Sequence, residues 1–449
     1  MAASWCRVWL GLVAQAAAVG AAVALAAVLF RWLILWCTLA FTGQAGYGSH
    51  GRASGDHWPW LGGWFPLLAP VLVGAVYGPL TAWLVREDSR VRLRQANYRV
   101  DTGDRPAGVG QAMVKALAAV LCIGGGGSVG RTGPIVQVGA AFGGGFARLA
   151  GMRPERMRLL IAAGAAGGLA ASFHAPLAGA CFALEIVLNT LAADAFAAAL
   201  SAALSAAAVS GLLLGDTRWF HAIDLPAAGA ANCVLYAVTG VVTGLAGAGF
   251  STLLHTMVRG GDVLWRNRAE WARPIAGGAV LGALLVTVPP LYGVGVPVIA
   301  AGVDGRYAVG VLVVLMLGKM LATGLTLGIG GYGGVFMPTL FVGAMGGEAL
   351  GELLSRLLPD LAGSPGNYAV IGMSAALIGA TRAPVTGIVL LLELTGDYDM
   401  ALPLMIAAVP AVAVSMLRST RSPYIGMLLR SIPASVVLDS DRRDARSGR

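Results

Sequence analysis

The sequence predicts an all-α polytopic membrane protein made of two related halves whose helices are broken within the membrane. Three observations carry that expectation. The composition is overwhelmingly apolar, apolar runs of spanning length alternate with shorter interrupted ones, and an internal repeat is anchored on the only two lysines of the chain, Lys115 and Lys319.

Composition sets the class. Of the 449 residues, 57% are hydrophobic and 12% charged, with a mean hydropathy of +0.75, which excludes an ordinary soluble enzyme. Residues 8–41, 60–85, 230–258, 274–291, 308–328 and 400–417 each supply apolar length sufficient to approach or cross a hydrocarbon core of roughly 30 Å. Other apolar stretches are too short, or too often broken by Gly and Pro, to span straight. Arg7 ahead of "AVALAA" imitates a signal peptide, but the apolar run continues to about Ala40, so an uncleaved first helix is expected. Cys6, Cys37, Cys122, Cys181 and Cys233 lie in or beside apolar segments without metal-ligand spacing and read as small buried hydrophobes.

The net charge of +9 points to membrane topology, not to a nucleic-acid partner, because excess Lys and Arg collect on the cytoplasmic side. Arg86, Arg90, Arg92, Arg94, Arg99 and Arg105 crowd one loop, Arg259, Arg266, Arg268 and Arg273 another, and Arg418, Arg421 and Arg430 flank the end. These segments are expected in the cytoplasm, and the cation-poor loops 42–58 and 215–230 outside. The organisation read from this is one membrane domain over 1–434, with repeat one about 8–258, repeat two about 274–417 and a final helix about 422–434. A short polar tail, 435–449, follows and is expected to be disordered. Arginine-rich, alanine-rich usage with few lysines suggests a GC-rich bacterial genome; the location expected is the bacterial cell (inner) membrane, multi-pass, with the tail cytoplasmic by the same charge rule.

The repeat is visible without a gap. "KALAAVLCIGGGGSVGRTGPIVQVGA" from Lys115 aligns with "KMLATGLTLGIGGYGGVFMPTLFVGA" from Lys319, pairing Gly130 with Gly334, Pro134 with Pro338 and Gly139 with Gly343. A second match, shifted by a few residues, sets Ala175-Pro176, Gly179 and Glu185 on Ala383-Pro384, Gly387 and Glu393. Small residues suit any membrane helix pair, but composition alone does not reproduce a Lys, several glycines and a Pro at one offset. Duplicated halves with Gly/Pro-interrupted segments in matching positions mark a transporter-type fold, with its ion site at the repeat interface.

The interruptions have a chemical use. A helix starting near each Lys is expected to run into a Gly-rich break, with a new helix opening around the Pro, which is favoured in a first turn. Backbone amides of Gly130 to Gly133, and of Gly334 to Met337, would then point from helix N-termini, each carrying about half a positive charge. Moving an anion into hydrocarbon costs on the order of 20 kcal/mol on an idealised Born basis. Partial charges and hydroxyls offset this while still letting the anion leave, and irregular backbone is tolerated where it lines such a cavity.

"GGSVGRTGPIVQVGA" (126–140) resembles the G-[KR]-E-G-P signature of the CLC family of chloride channels and chloride/proton antiporters, and "GGVFMP" resembles its G-x-F-x-P signature. "FHAPLAGACFALE" and "TRAPVTGIVLLLELTGDYDMALPLM" resemble the helices that follow, and the similarity runs from about Trp60 to Arg430. The resemblance implies two inverted-topology repeats with broken and re-entrant helices (a CLC-like fold). It also implies a homodimer in the lipid bilayer with one anion pathway per subunit, chloride or a similar small anion as cargo, and no cofactor.

The family's anion ligands carry over one at a time. Gly130, Arg131, Thr132 and Gly133 occupy one signature, and Val335 and Phe336 would offer backbone N–H groups from the other. Tyr424, in "RSPYIGMLLR", falls where the family has a Tyr hydroxyl donor, the competing reading being an interfacial belt tyrosine. The family's G-S-G-I-P motif is absent; "DSRVR" leaves Ser89 as the nearest equivalent, without the flanking glycines and proline. At Thr132 the family usually has Glu, which gates the outer site and carries a proton. Threonine has no acid-base chemistry in the working pH range. Antiporters of the family commonly have a second Glu immediately after the one ending "ACFALE"; here Glu185 is followed by Ile186, so the inner proton-site position is apolar too.

The remaining polar residues have plainer readings. Glu185, matched by Glu393, is expected to cap or pair, the alternative being a stand-in inner carboxylate. His174, without metal spacing to the other histidines, is expected to make a helix-end hydrogen bond, and Arg131 either attracts anions or snorkels. Lys115 and Lys319 are expected to pair with carbonyls or helix C-termini. The function expected is a passive CLC-type anion channel without proton coupling, because Thr132 and Ile186 replace both glutamates. The alternatives are a coupled antiporter using another proton route and a non-conducting membrane scaffold. No nucleophile-base pair or metal constellation points to an enzyme.

Overall fold

A computed structural model of the chain describes residues 2–44, 64–96, 108–215, 230–266 and 268–418, and only the backbone of 2–8, 81–96, 230 and 418. Tyr424, the expected final helix, the tail and most of both outer loops lie outside the described residues, as does the side chain of Ser89.

The first half comprises α1 (Ala2–Thr42), α2 (Phe65–Ala96), α3 (Val109–Gly124), α4 (Thr132–Leu149), α5 (Pro154–Phe173), α6 (Pro176–Phe182) and α7 (Ala193–Leu214). α6 runs on as a π-helical turn over Ala183–Leu188. The second half comprises α8 (Ala230–Leu264), α9 (Arg273–Thr287), α10 (Val296–Val303), α11 (Val309–Gly328), α12 (Phe336–Leu357), the single turn α13 (Pro359–Ala362), α14 (Pro365–Thr381), α15 (Pro384–Thr395) and α16 (Ala401–Arg418). Among the described residues the only β-pairing is one isolated bridge.

The long helices of the two halves correspond, while the second half adds further short ones. α1 packs on α7, α5, α3 and α4, and α8 makes the same set of contacts with α16, α14, α11 and α12. This packing groups α8 with the second half, whereas hydrophobic runs alone place it at the end of the first. Prolines open α5, α6, α14 and α15 at N1 or N2, where their missing N–H leaves no bond unmade. α5 and α14 end alike, on His174 and Arg382 in the left-handed region (φ 55° and 61°). That conformation costs a non-glycine residue roughly 1–2 kcal/mol, and it turns the chain sharply into each Ala-Pro start. His174 is thus the C-terminal cap residue of α5.

Among the described residues, five helices are long and apolar enough to cross a membrane: Trp9–Thr42, Ala193–Leu214, Ala231–Leu264, Val309–Gly328 and Tyr398–Leu417. The span at Ala193–Leu214 was not among those expected, although its mean hydropathy of 1.9 equals that of the expected span Val309–Gly328. Conversely, the expected runs 60–85 and 274–291 fold as α2, whose apolar part is Phe65–Leu80, and as α9, of only 15 residues. Both lysines lie inside their helices, since α3 begins at Val109 and α11 at Val309. α3 and α4 form a re-entrant pair: Val109 at the start of α3 lies against Gly145 near the end of α4. The chain thus leaves on the side from which it entered.

Candidate functional site

The breaks in the two halves meet each other. After α3 and α11, Gly126 and Gly330 take positive φ (102° and 86°), a conformation for which only glycine is unstrained, and the chain swings back toward the middle of the bundle. There Gly130 N–H donates to the Gly334 carbonyl at 2.6 Å and Gly334 N–H to the Gly130 carbonyl at 2.7 Å, the antiparallel bridge of the fold. The approach is so close that a Cβ on Gly133 would fall 2.7 Å from the Gly334 Cα. This corrects one expectation: the amides of Gly130 and Gly334 hold each other and are not available to an anion.

Downstream of the bridge, α4 and α12 start side by side. The first-turn N–H groups of Thr132 and Gly133, and of Phe336 and Met337, precede any intrahelical partner, and Pro134 and Pro338 follow within each first turn. Val335 caps α12 through its carbonyl, which accepts from Thr339 N–H at 3.0 Å and Thr339 Oγ1 at 2.8 Å. The Phe336 ring packs between Phe173 and Phe182, with centroids at 5.6 and 6.5 Å, so its backbone faces the site while its ring anchors the helix start. Thr132 is 2% exposed, yet its Oγ1 has no hydrogen-bond partner among the described residues. A buried hydroxyl is nearly always bonded. An unused one at a helix N-terminus, beside unused amides, matches a site for a small anion.

The rest of the break is fully tied down. Ser128 donates through Oγ to the Leu291 carbonyl at 2.8 Å, its N–H donates to Thr326 Oγ1 at 3.2 Å, and its carbonyl accepts from Thr323 Oγ1 at 2.7 Å. Tyr292 OH donates to the Gly124 carbonyl at 2.8 Å. Lys319, wholly buried, donates to the Gly293 carbonyl at 2.8 Å and lies 5.1 Å from the Phe341 ring centroid. It therefore braces the 289–295 segment, the carbonyl pairing expected of it. Lys115 is half-buried in α3.

The paired glutamates are crossed helix caps. Glu185, at the end of the first half's broken pair, accepts from Val385 N–H at 3.0 Å, Thr386 N–H at 2.7 Å and Thr386 Oγ1 at 2.6 Å, closing the N-terminus of α15. Glu393 reciprocates, accepting from Leu177 and Ala178 N–H at 2.9 and 2.8 Å at the start of α6. Two of the four helix N-termini created by the breaks are thus filled by the protein's own carboxylates. No carboxylate among the described residues fills those of α4 and α12.

This geometry agrees with the comparisons. The profile of the voltage gated chloride channel family matches residues 73–416. The chain belongs to the CLC family. Across 427 residues, 94% of this CLC chain and 97% of the other, it is 30% identical to a putative chloride channel protein ClcB-like of Ralstonia nicotianae. It is 33% identical over 325 residues to the H(+)/Cl(-) exchange transporter ClcA of Vibrio parahaemolyticus, covering 71% of this chain and 69% of that one. The fold matches a slow cyanobacterial Cl-/H+ antiporter at TM-score 0.78 and 21% identity, covering 94% and 97% of the two chains. It matches a CLC-type fluoride/proton antiporter at TM-score 0.73 and 22% identity, covering 92% and 97%.

Of the residues expected at the CLC site, the structure brings together Gly130, Arg131, Thr132, Gly133, Val335 and Phe336. Tyr424 lies outside the described residues. The backbone of "DSRVR" continues α2 without a break, so Ser89 does not open a helix as a G-S-G-I-P serine would. Ile186 is buried in the core at 4% exposure, inside the π-helical turn. Arg131 is half-buried, with Nη2 donating to the Ser172 carbonyl at 3.4 Å, so it does not reach outward as a snorkelling side chain would. Sequence reasoning missed the Ser128 bracing and overlooked Arg31. The available signals were a hydroxyl inside a glycine run and an arginine inside an otherwise apolar span.

Proposed function

We propose that the protein is a passive CLC-type anion channel, chloride being its cargo, without proton coupling. Thr132 carries this reading. A buried hydroxyl with spare hydrogen-bonding capacity, set among first-turn amides of two facing helices, binds an anion with neutral donors and leaves no carboxylate to compete with it or to take up a proton. Ile186 supports it, because an apolar side chain offers no second proton site. Glu185 does not replace that site, since both its oxygens are committed to the start of α15.

The relatives named as exchangers support a different reading, a coupled chloride/proton antiporter with another proton route. The buried carboxylate of Glu348 in α12, 1% exposed with Oε2 lacking a hydrogen-bond partner among the described residues, is where that reading looks first. The deciding experiment is the reversal potential in liposomes under a pH gradient at symmetric chloride. Zero supports the channel; a sizeable shift that Glu348→Gln removes supports the exchanger.

The protein is further taken to be a homodimer of the bacterial inner membrane with one pathway per subunit and its arginine-rich segments cytoplasmic. The turn joining α4 to α5, flanked by Arg148, Arg153, Arg156 and Arg158, lies on the same side as the start of α3 and extends the positive-inside pattern. Single-molecule subunit counting and cysteine accessibility from each side test the two statements.

A further inference from the structure

We propose that Arg31 and Arg131 together form an anion-recruitment site ahead of Thr132, loaded by the same small inorganic anions that the pathway carries. The proposal rests on the anion-transport reading above but not on the absence of proton coupling.

Arg31 lies within α1, well inside the apolar span Trp9–Thr42. An intramembrane ionisable residue is expensive and needs a reason. Its place on the helix excludes a lipid-facing one. Leu25, Leu29, Trp32 and Trp36 form the exposed stripe of α1, at 57%, 54%, 48% and 61%. Arg31 falls instead with Ala24, Ala27 and Ile34, at i−7, i−4 and i+3. Ala24 and Ala27 are 0% and 4% exposed, and Ile34 packs on the core. Arg31 itself is half-buried.

That face crosses the first broken segment. Phe30 and Ile135 line one small apolar cavity between α1, α3 and α4, and Ile34 packs with the cluster containing Val129. The turn of α1 from 30 to 34 therefore runs alongside the segment that contains Arg131, which brings the two guanidinium charges within electrostatic reach of each other. Arg31 forms no hydrogen bond or ion pair among the described residues. Two half-buried cations brought together, Arg31 without a hydrogen bond or ion pair among the described residues, repel each other, and an anion bound between them relieves that repulsion. The buried, unused Thr132 hydroxyl lies next in the chain after Arg131, so an anion held by the pair is already beside the α4 N-terminus.

The test measures chloride flux against chloride concentration in liposomes for wild type, Arg31→Gln and Arg31→Lys, at fixed and raised ionic strength with gluconate as the impermeant anion. A unit charge within about 10 Å, at an effective dielectric near 20, alters anion affinity on the order of tenfold. Arg31→Gln is expected to raise the half-saturating chloride concentration by about three- to tenfold, screening reducing the full effect, with maximal flux preserved. Arg31→Lys is expected to restore most of it, and raised ionic strength to narrow the gap between wild type and Arg31→Gln. Half-saturation unchanged in Arg31→Gln, or Arg31→Lys no better than Arg31→Gln, overturns the proposal. Calorimetric titration of the detergent-solubilised dimer or monomer with chloride gives a readout independent of flux. If wild type conducts nothing, the transport reading fails by itself, and equal chloride affinity of wild type and Arg31→Gln in that titration sinks the recruitment site separately. A melting temperature matching wild type establishes that each variant is folded.

Discussion

Gly130 and Gly334, equivalent positions in the two halves, exchange both of their backbone hydrogen bonds, at 2.6 and 2.7 Å. The two broken segments are therefore one crossing, and the starts of α4 and α12 are fixed relative to each other by backbone alone. A site assembled this way needs no charged side chain to hold its geometry. It depends on there being no Cβ at the crossing.

Gly133→Ala tests that dependence. The new methyl would sit 2.7 Å from the Gly334 Cα, and overpacking against backbone costs about 1–3 kcal/mol. The expected result is a lowered melting temperature in detergent together with loss of most anion flux, whereas Val335→Ala, altering a side chain whose backbone does the work, is expected to keep flux within a few-fold of wild type.

Thr132→Glu restores a titratable group at the α4 N-terminus. Ionised, it competes with the anion for the same donors; neutral, it does not. Flux is expected to be low at neutral pH and to rise as pH falls through the carboxylate range, about 4 for an unperturbed side chain, a step that wild type lacks. Thr132→Val, nearly equal in volume but without the hydroxyl, is expected to weaken anion binding by about 1 kcal/mol, roughly fivefold, in chloride titrations.

Glu185 and Glu393 should respond alike to substitution because they do the same job in opposite halves. Each Glu→Gln change replaces charge-assisted bonds to helix N-termini by neutral ones and is expected to cost about 1–2 kcal/mol, read as a fall in melting temperature. An unchanged melting temperature in both variants would contradict the capping role.

Lys319→Met keeps the length and apolar stem but removes the bond to the Gly293 carbonyl. Leaving that carbonyl buried and unmatched costs about 1–3 kcal/mol. Stability should fall while the chloride concentration at half-maximal flux stays unchanged, separating a bracing lysine from an anion ligand.

Much of this was legible in the sequence because glycine, proline and lysine are sparse in meaning: Pro134 and Pro338 mark helix starts, and the lone pair of lysines fixes the alignment of the halves. The crossed caps followed from Glu185 matching Glu393, although which helix each one closes is a tertiary fact. What stayed hidden depends on contacts between distant segments. No local pattern tells that the Gly130 amide is spent on Gly334 or that Ser128 is held by Leu291, Thr323 and Thr326. The alanine-rich span at Ala193–Leu214 is a different case, since its mean hydropathy of 1.9 matches that of Val309–Gly328 and was legible in the sequence, its small side chains serving packing.

The central claim is that replacing both glutamates, at Thr132 and Ile186, leaves anion movement uncoupled from protons. Liposomes holding the purified protein, with equal chloride on both sides and a pH difference of about two units, test it most directly through the reversal potential. The account predicts a reversal potential of zero with sustained chloride conductance. A reversal potential displaced from zero in proportion to the pH difference would contradict it.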